Sequence, residues 1–235
     1  MCEICARATS RLSRRAMMAG GLALAGAGHA RAAVGPDAPN AIAPDAALNR
    51  LLEGNRRYAR NAPQNQDYSH DRAGRASAQY PIAAVLSCSD SRVAPEVIFD
   101  QGPGQLFIVR VAGNFVSIDG LASLEYGVKF LGAPLIVVLG HTGCGAIAAA
   151  LKVLQQGEIL PGHLPELIAN LKPAVQPAVD RKPKDLLQEA TCENIRMNVA
   201  RLNHDQPIVA EKVAKGRIRV AGAIYDISTG DVRLL

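Results

Sequence analysis

The sequence predicts an α/β fold: a mostly parallel central β-sheet flanked by helices, with an N-terminal helical arm. Three observations carry that expectation. Four short, nearly continuous apolar runs rich in β-branched residues lie at 82–86, 106–111, 135–139 and 217–224. Runs of strand length without polar alternation fit strands covered on both faces. Segments of helical period separate them, which is the alternation expected of a parallel sheet. Finally, 235 residues with 49% apolar and 20% charged side chains are enough for one sizeable core.

The elements follow in order. Ser13-Arg14-Arg15, the uncharged stretch 16–28 and Ala30-Arg31-Ala32 read together as a twin-arginine signal peptide over 1–32, with a periplasmic destination. The apolar part is too short to span a bilayer, and an incidental basic tail is the competing reading. Residues 33–44, with Pro36, Pro39 and Pro44, read as a linker, and 45–235 as a single domain. Asp45 is expected to cap a helix bearing Leu48, Leu51, Leu52 and Asn55, ending near 61–63. That helix lies outside the main pattern, where it can reach across to a partner subunit. Residues 64–78 show no clear period and read as an irregular or partly helical arm.

Between the second and third strands, Leu121, Leu124, Val128 and Leu131 share one helical face behind Asp119 as cap. Further helices are expected over 146–154, 184–203 and 208–215. Residues 231–235 form an edge strand after the Ser228-Thr229-Gly230 turn. The uncharged run 130–151 has the length of a membrane span. Gly132, Pro134, Gly140, Gly143 and Gly145 divide it into a strand, a tight turn and a helix start instead.

Charge and composition exclude some partners. Residues 1–32 hold five Arg against one Glu, so nearly all of the formal +5 sits there and the rest of the chain is close to neutral. With 4% aromatics and no Trp, nothing argues for nucleic acid, and nothing argues for a membrane once the leader is removed. Cys2 and Cys5 lie in the leader, and the mature chain keeps Cys88, Cys144 and Cys192, an odd number for a disulfide framework. Cys192 falls in a helix-like stretch and reads as core packing.

Two polar clusters follow two of the buried strands directly: Cys88-Ser89-Asp90-Ser91-Arg92, and His141-Thr142-Gly143-Cys144-Gly145. Ligand crevices of parallel sheets lie beyond the carboxyl ends of the strands, so neighbouring strands would bring both clusters to one crevice. Cys88, His141 and Cys144 then form a Cys₂His set that matches a catalytic zinc site with an open fourth position. Gly140 and Gly143 permit a tight turn there, and Gly145 opens a helix whose positive end faces Cys144 and any bound anion. Zn²⁺, two thiolates and a neutral imidazole sum to zero charge, so solvent at the fourth position needs help to ionise. Asp90 can bind the metal itself or accept a hydrogen bond from that solvent. Arg92 decides between the two, because its planar fork can hold the Asp90 carboxylate bidentately.

These motifs resemble the β-class carbonic anhydrases, from about Asp45 to the C-terminus. The likeness extends through Val93-Ala94-Pro95-Glu96, Asp100-Gln101-Gly102, Arg110-Val111-Ala112-Gly113-Asn114 and Glu125-Tyr126-Gly127. The resemblance implies one Zn²⁺ per subunit on Cys88, His141 and Cys144, with Asp90 and Arg92 as a catalytic dyad. The implied reaction is the reversible hydration of CO₂ to bicarbonate and a proton. It also implies a homodimer or tetramer, active sites at the dimer interface, and an N-terminal helical arm over the partner. Gln79 matches the family's substrate-binding glutamine. Phe107, Ala112 and Tyr126 match apolar wall positions, and the Gly145 N–H matches a backbone donor. Ala112 is smaller than the valine often found there. The absence of Trp and the presence of Gln79 favour an open, unregulated site, in which Asp90 does not close the metal as a fourth ligand.

Other readings stay open at this point. An enzyme of this fold can hydrolyse carbonyl sulfide or carbon disulfide, and a periplasmic zinc-binding or thiol protein could carry the same three ligands without catalysis. His70, His163 and His204 have no assigned part in proton transfer.

Overall fold

The structure is a computed structural model that describes residues 38–64, 67–69 and 72–235. The signal segment 1–32, with Arg14, Arg15, Cys2 and Cys5, lies outside the described residues, as do linker residues 33–37 and His70. Five strands form one sheet in the order β2-β1-β3-β4-β5: β1 Ala83–Ser87, β2 Leu106–Arg110, β3 Leu135–His141, β4 Arg219–Tyr225 and β5 Val232–Leu234. The first four are parallel, and β5 pairs antiparallel with β4. The expected α/β architecture is present. β1 and β3 are buried along their whole length, which explains their unbroken apolar runs.

The helices are α1 Pro44–Ala59, α2 Arg72–Ser77, α3 Pro95–Ile98, α4 Ile118–Lys129, α5 Gly145–Gln156, α6 Leu164–Arg181, α7 Leu186–His204 and α8 Ile208–Ala214. Two caps differ from expectation. Ala43 precedes α1 with Pro44 in its first turn, where a missing N–H costs nothing, and Asp45 instead accepts a 2.7 Å hydrogen bond from Arg219 Nη1. Ser117, not Asp119, caps α4 by accepting from Gly120 N–H at 3.1 Å. Nor does α1 lie outside the main pattern: Ala47, Leu48 and Leu51 pack with Ile98, Phe99, Leu135 and Val137 in the chain's own core. Asn55 fastens it further, donating to Ile98 O at 3.2 Å and Gly230 O at 2.8 Å and accepting from Val232 N at 2.8 Å.

α6 is the largest element absent from the sequence expectation. Pro173 and Pro177 lie inside it, where proline removes ladder bonds. Its buried Ile168, Leu171, Val175 and Ala178 form one apolar stripe packed with Ile147 and Leu151 of α5, and that burial offsets the lost bonds. The sheet face opposite α1 is covered by α4 and α7 through Leu124, Val128, Cys192, Ile195 and Leu202, so Cys192 is core packing as expected. Among the described residues no helix is long and apolar enough to cross a membrane. The run 130–151 is divided among β3, a turn and α5.

Candidate metal centre

β1 and β3 are neighbours, so their carboxyl ends deliver Cys88 and His141 to the same place. His141 is the last residue of β3 and pairs in register with Tyr225 of β4, so its backbone belongs to the sheet. Cys144 occupies the N-cap position of α5, where the N–H groups of Ala146 and Ile147 favour its thiolate form. Cys88, His141 and Cys144 are all buried, and their ligand atoms lie within 4.8 Å of one another.

The histidine ring is oriented by its own loop. Its Nδ1 lies 3.0 Å from Thr142 O, a carbonyl that can only accept, so Nδ1 carries the proton and Nε2 presents a lone pair. That Nε2 is buried and has no hydrogen-bond partner. Thr142 is fixed in turn, with its N–H donating to Tyr225 O at 2.9 Å and its Oγ1 accepting from Ile227 N at 3.1 Å.

The two thiols are electrostatically unequal. Cys88 is pushed down to about 4, first by the hydrogen bond from Cys144, then by His141 and the N–H of Gly113, with burial opposing. Cys144 is pushed up because it shares its proton with the Cys88 thiolate and is buried. Burial pulls His141 down, but the neighbouring Cys88 sulfur, the Thr142 carbonyl and the negative charge of Asp90 leave it raised on balance. An unpartnered buried imidazole nitrogen facing two sulfurs that compete for one proton is a donor set suited to a soft divalent cation, and Zn²⁺ fits it.

Asp90 stands beside this set, its Oδ2 3.9 Å from His141 Nε2. Arg92 grips the carboxylate bidentately, Nε to Oδ1 at 2.9 Å and Nη2 to Oδ2 at 2.7 Å, and its backbone N–H adds a third bond at 3.0 Å. This grip holds the Asp90 carboxyl well below the usual carboxylate range. Arg110 secures the loop from below, donating to Cys88 O at 3.0 Å and Asp90 O at 2.7 Å.

Not every expected pocket residue gathers here. Gly145 is exposed at the start of α5, and a Cβ there would meet nothing within 4 Å, so the space over the helix end is open. Ala112 adjoins Gly113, whose N–H donates to Cys88 Sγ at 3.3 Å. Gln79 instead precedes β1 and lines a surface cavity of about 540 Å³ with Tyr68, Arg75 and Gln105. β1 has five residues, so at ~3.3 Å per residue that end of the sheet is about 17 Å from the Cys88 end. Phe107 and Tyr126 stack on each other at the β2 edge with ring centroids 6.2 Å apart, and Tyr126 continues to Phe130 at 5.3 Å. Reasoning from the sequence missed the parts played by Thr142 and Arg110 in holding the site. Both lie within the motifs quoted above, but their partners are backbone atoms that no sequence pattern displays.

A family model described as carbonic anhydrase matches residues 83–232. Carbonic anhydrase 2 of Mycobacterium tuberculosis is 38% identical over 188 residues, covering 80% of this chain and 90% of that protein. Among solved structures, a β-carbonic anhydrase of Coccomyxa in complex with acetazolamide superposes with a TM-score of 0.63 at 30% identity, covering 80% of this chain and 86% of the other. One of two tetrameric β-carbonic anhydrases of Sordaria macrospora gives 0.65 at 27% identity, covering 81% and 97%.

Proposed function

This chain belongs to the β-class carbonic anhydrases, lyases that interconvert carbon dioxide and bicarbonate, and on that premise we propose that Cys88, His141 and Cys144 hold one zinc ion per subunit as its catalytic centre. The observation that carries the proposal is the buried, unpartnered Nε2 of His141 facing two sulfurs beside an Arg-held aspartate. Zinc bound there supplies Lewis acidity and acidifies a water at its open position.

The chain's own groups do the rest. Asp90, fixed by Arg92, offers carboxylate lone pairs that accept a hydrogen bond from the attacking water and so orient it. Arg92 keeps Asp90 from turning onto the metal as a fourth ligand, the closed alternative. The open N-terminus of α5 at Gly145 places a backbone N–H and the positive end of a helix where product charge develops. Ala112 offers a small apolar wall for linear CO₂. Gln79, Phe107 and Tyr126 stand too far along the sheet to line their own chain's centre and serve that of a second protomer, which makes the working unit a homodimer, alone or paired as a tetramer. We further assign residues 1–32 to twin-arginine export into the periplasm, supported by Ser13-Arg14-Arg15 and the uncharged stretch behind it.

Metal analysis and a stopped-flow CO₂ hydration assay, run beside sulfide release from carbonyl sulfide, test the function. One zinc per chain with rapid hydration is expected. Folded protein that lacks metal and stays inert after zinc is added would overturn the reading. Amino-terminal sequencing of periplasmic protein tests the export assignment, with cleavage expected after Ala32.

A further inference from the structure

One face of α7 carries a polar stripe that the packing of the helix does not need. Asn194, Asn198 and Arg201 recur at helical spacing, and the two asparagines are buried. Burying an amide costs free energy unless all of its bonds are made, so a stripe of this kind calls for a purpose. All three side chains reach the segment 113–116. Asn194 Nδ2 donates to Gly113 O at 2.8 Å, Asn198 Oδ1 accepts from Val116 N at 2.8 Å, and Arg201 Nη1 donates to Val116 O at 2.7 Å. Asn198 also steadies Asn194, donating to its Oδ1 at 3.1 Å and to its backbone carbonyl at 2.7 Å.

Gly113 is where this stripe meets the metal centre. Its N–H donates to Cys88 Sγ while its carbonyl is held by Asn194, so the residue is pinned on both sides. Only glycine fits: φ is +83°, and a Cβ would come within 2.9 Å of the Leu171 side chain. We propose that Asn194 is a positioning residue of the metal centre, one that holds the Gly113 N–H on the Cys88 sulfur and thereby sets how strongly that thiolate donates to the metal. An N–H bond to a thiolate withdraws electron density from the sulfur, and outer groups of this kind tune metal affinity and chemistry. The inference rests on the zinc reading above.

Asn194→Asp keeps the shape of the side chain and replaces the donor with an oxygen that cannot donate when ionised. Zinc affinity by chelator competition is expected to fall roughly 10- to 100-fold, because the Cys88 sulfur is no longer held in its ligating position and this outweighs its stronger donation. In the cobalt-substituted protein the sulfur-to-metal charge-transfer band is expected to move to longer wavelength, because a sulfur without its N–H donor gives up charge more easily. Should Asn194→Asp not fold, Asn194→Ser is read in the same two ways with the same direction expected. Thr191→Val removes another side-chain bond of α7, from Thr191 Oγ1 to Leu187 O at 2.8 Å, and is expected to change neither readout. Equal changes in Thr191→Val, or a folded Asn194 variant with native affinity and band position, would overturn the inference while leaving the zinc reading intact. Native protein without zinc would instead bring down the reading on which it rests.

Discussion

The two ends of the sheet carry different kinds of residue. At the carboxyl end, Cys88, Asp90, Arg92, His141 and Cys144 come together within one chain, held by bonds made within that chain. Toward the amino end and the β2 edge, Gln79, Phe107 and Tyr126 face solvent or one another, and none touches the metal ligands. On the reading proposed above, the first group needs only folding to become a site, whereas the second serves a partner's. Metal binding should therefore belong to the protomer, and substrate handling to the assembly.

The sharpest way to break this contrast is at the ligands. Cys144→Ser or His141→Ala is expected to abolish both zinc and activity, measured by metal analysis and hydration rate, and either variant keeping both would dissolve the distinction. Arg92→Ala is expected to keep zinc but lose activity roughly 10- to 100-fold, because Asp90 is then free to turn away or close on the metal. Full activity in that variant would remove the dyad from the mechanism.

Gln79→Ala should keep zinc and cost about fivefold to tenfold in turnover, the worth of about one hydrogen bond at ~1 kcal/mol. Mixing Gln79→Ala chains with Cys144→Ser chains sharpens the point. Mixed dimers rebuild one intact site from two defective chains, so activity above that of either alone is expected. No recovery after confirmed subunit exchange would mean that Gln79 acts elsewhere.

The smallest signal is the proton count. Cys144 holds its proton at slightly alkaline pH because its thiol is pushed up, so zinc uptake should displace about one proton per chain there. The count should rise as pH falls through the raised His141 value, and again toward about 4, where Cys88 takes up its proton. Zinc affinity therefore falls as pH falls. Calorimetry in buffers of different ionisation enthalpy measures the count, which should be the same in protomer and assembly.

Much of the carboxyl end was legible because its residues are contiguous: a short buried strand followed at once by a polar cluster marks a crevice, and two such clusters mark one site. The amino end was legible only by resemblance, since nothing in the pattern around Gln79 says that the chain turns it away from Cys88. Helix α6 escaped notice because Pro161, Pro165, Pro173, Pro177 and Pro183 suggest a broken loop. The Ile168, Leu171, Val175, Ala178 period was present throughout and would have found it. Arg57 and Asp100 illustrate a further blind spot: their 2.6 Å ion pair joins α1 to the end of α3 across a separation in sequence that composition cannot bridge.

Because His141 forms the final rung of the ladder between β3 and β4, its position is inherited from the sheet and does not depend on the cation. The centre should then behave as a fixed socket. Cadmium or cobalt offered to stripped protein ought to enter at the pace of collision and exchange, with no slow refolding phase, and leave the surrounding scaffold in the same place whichever ion it carries.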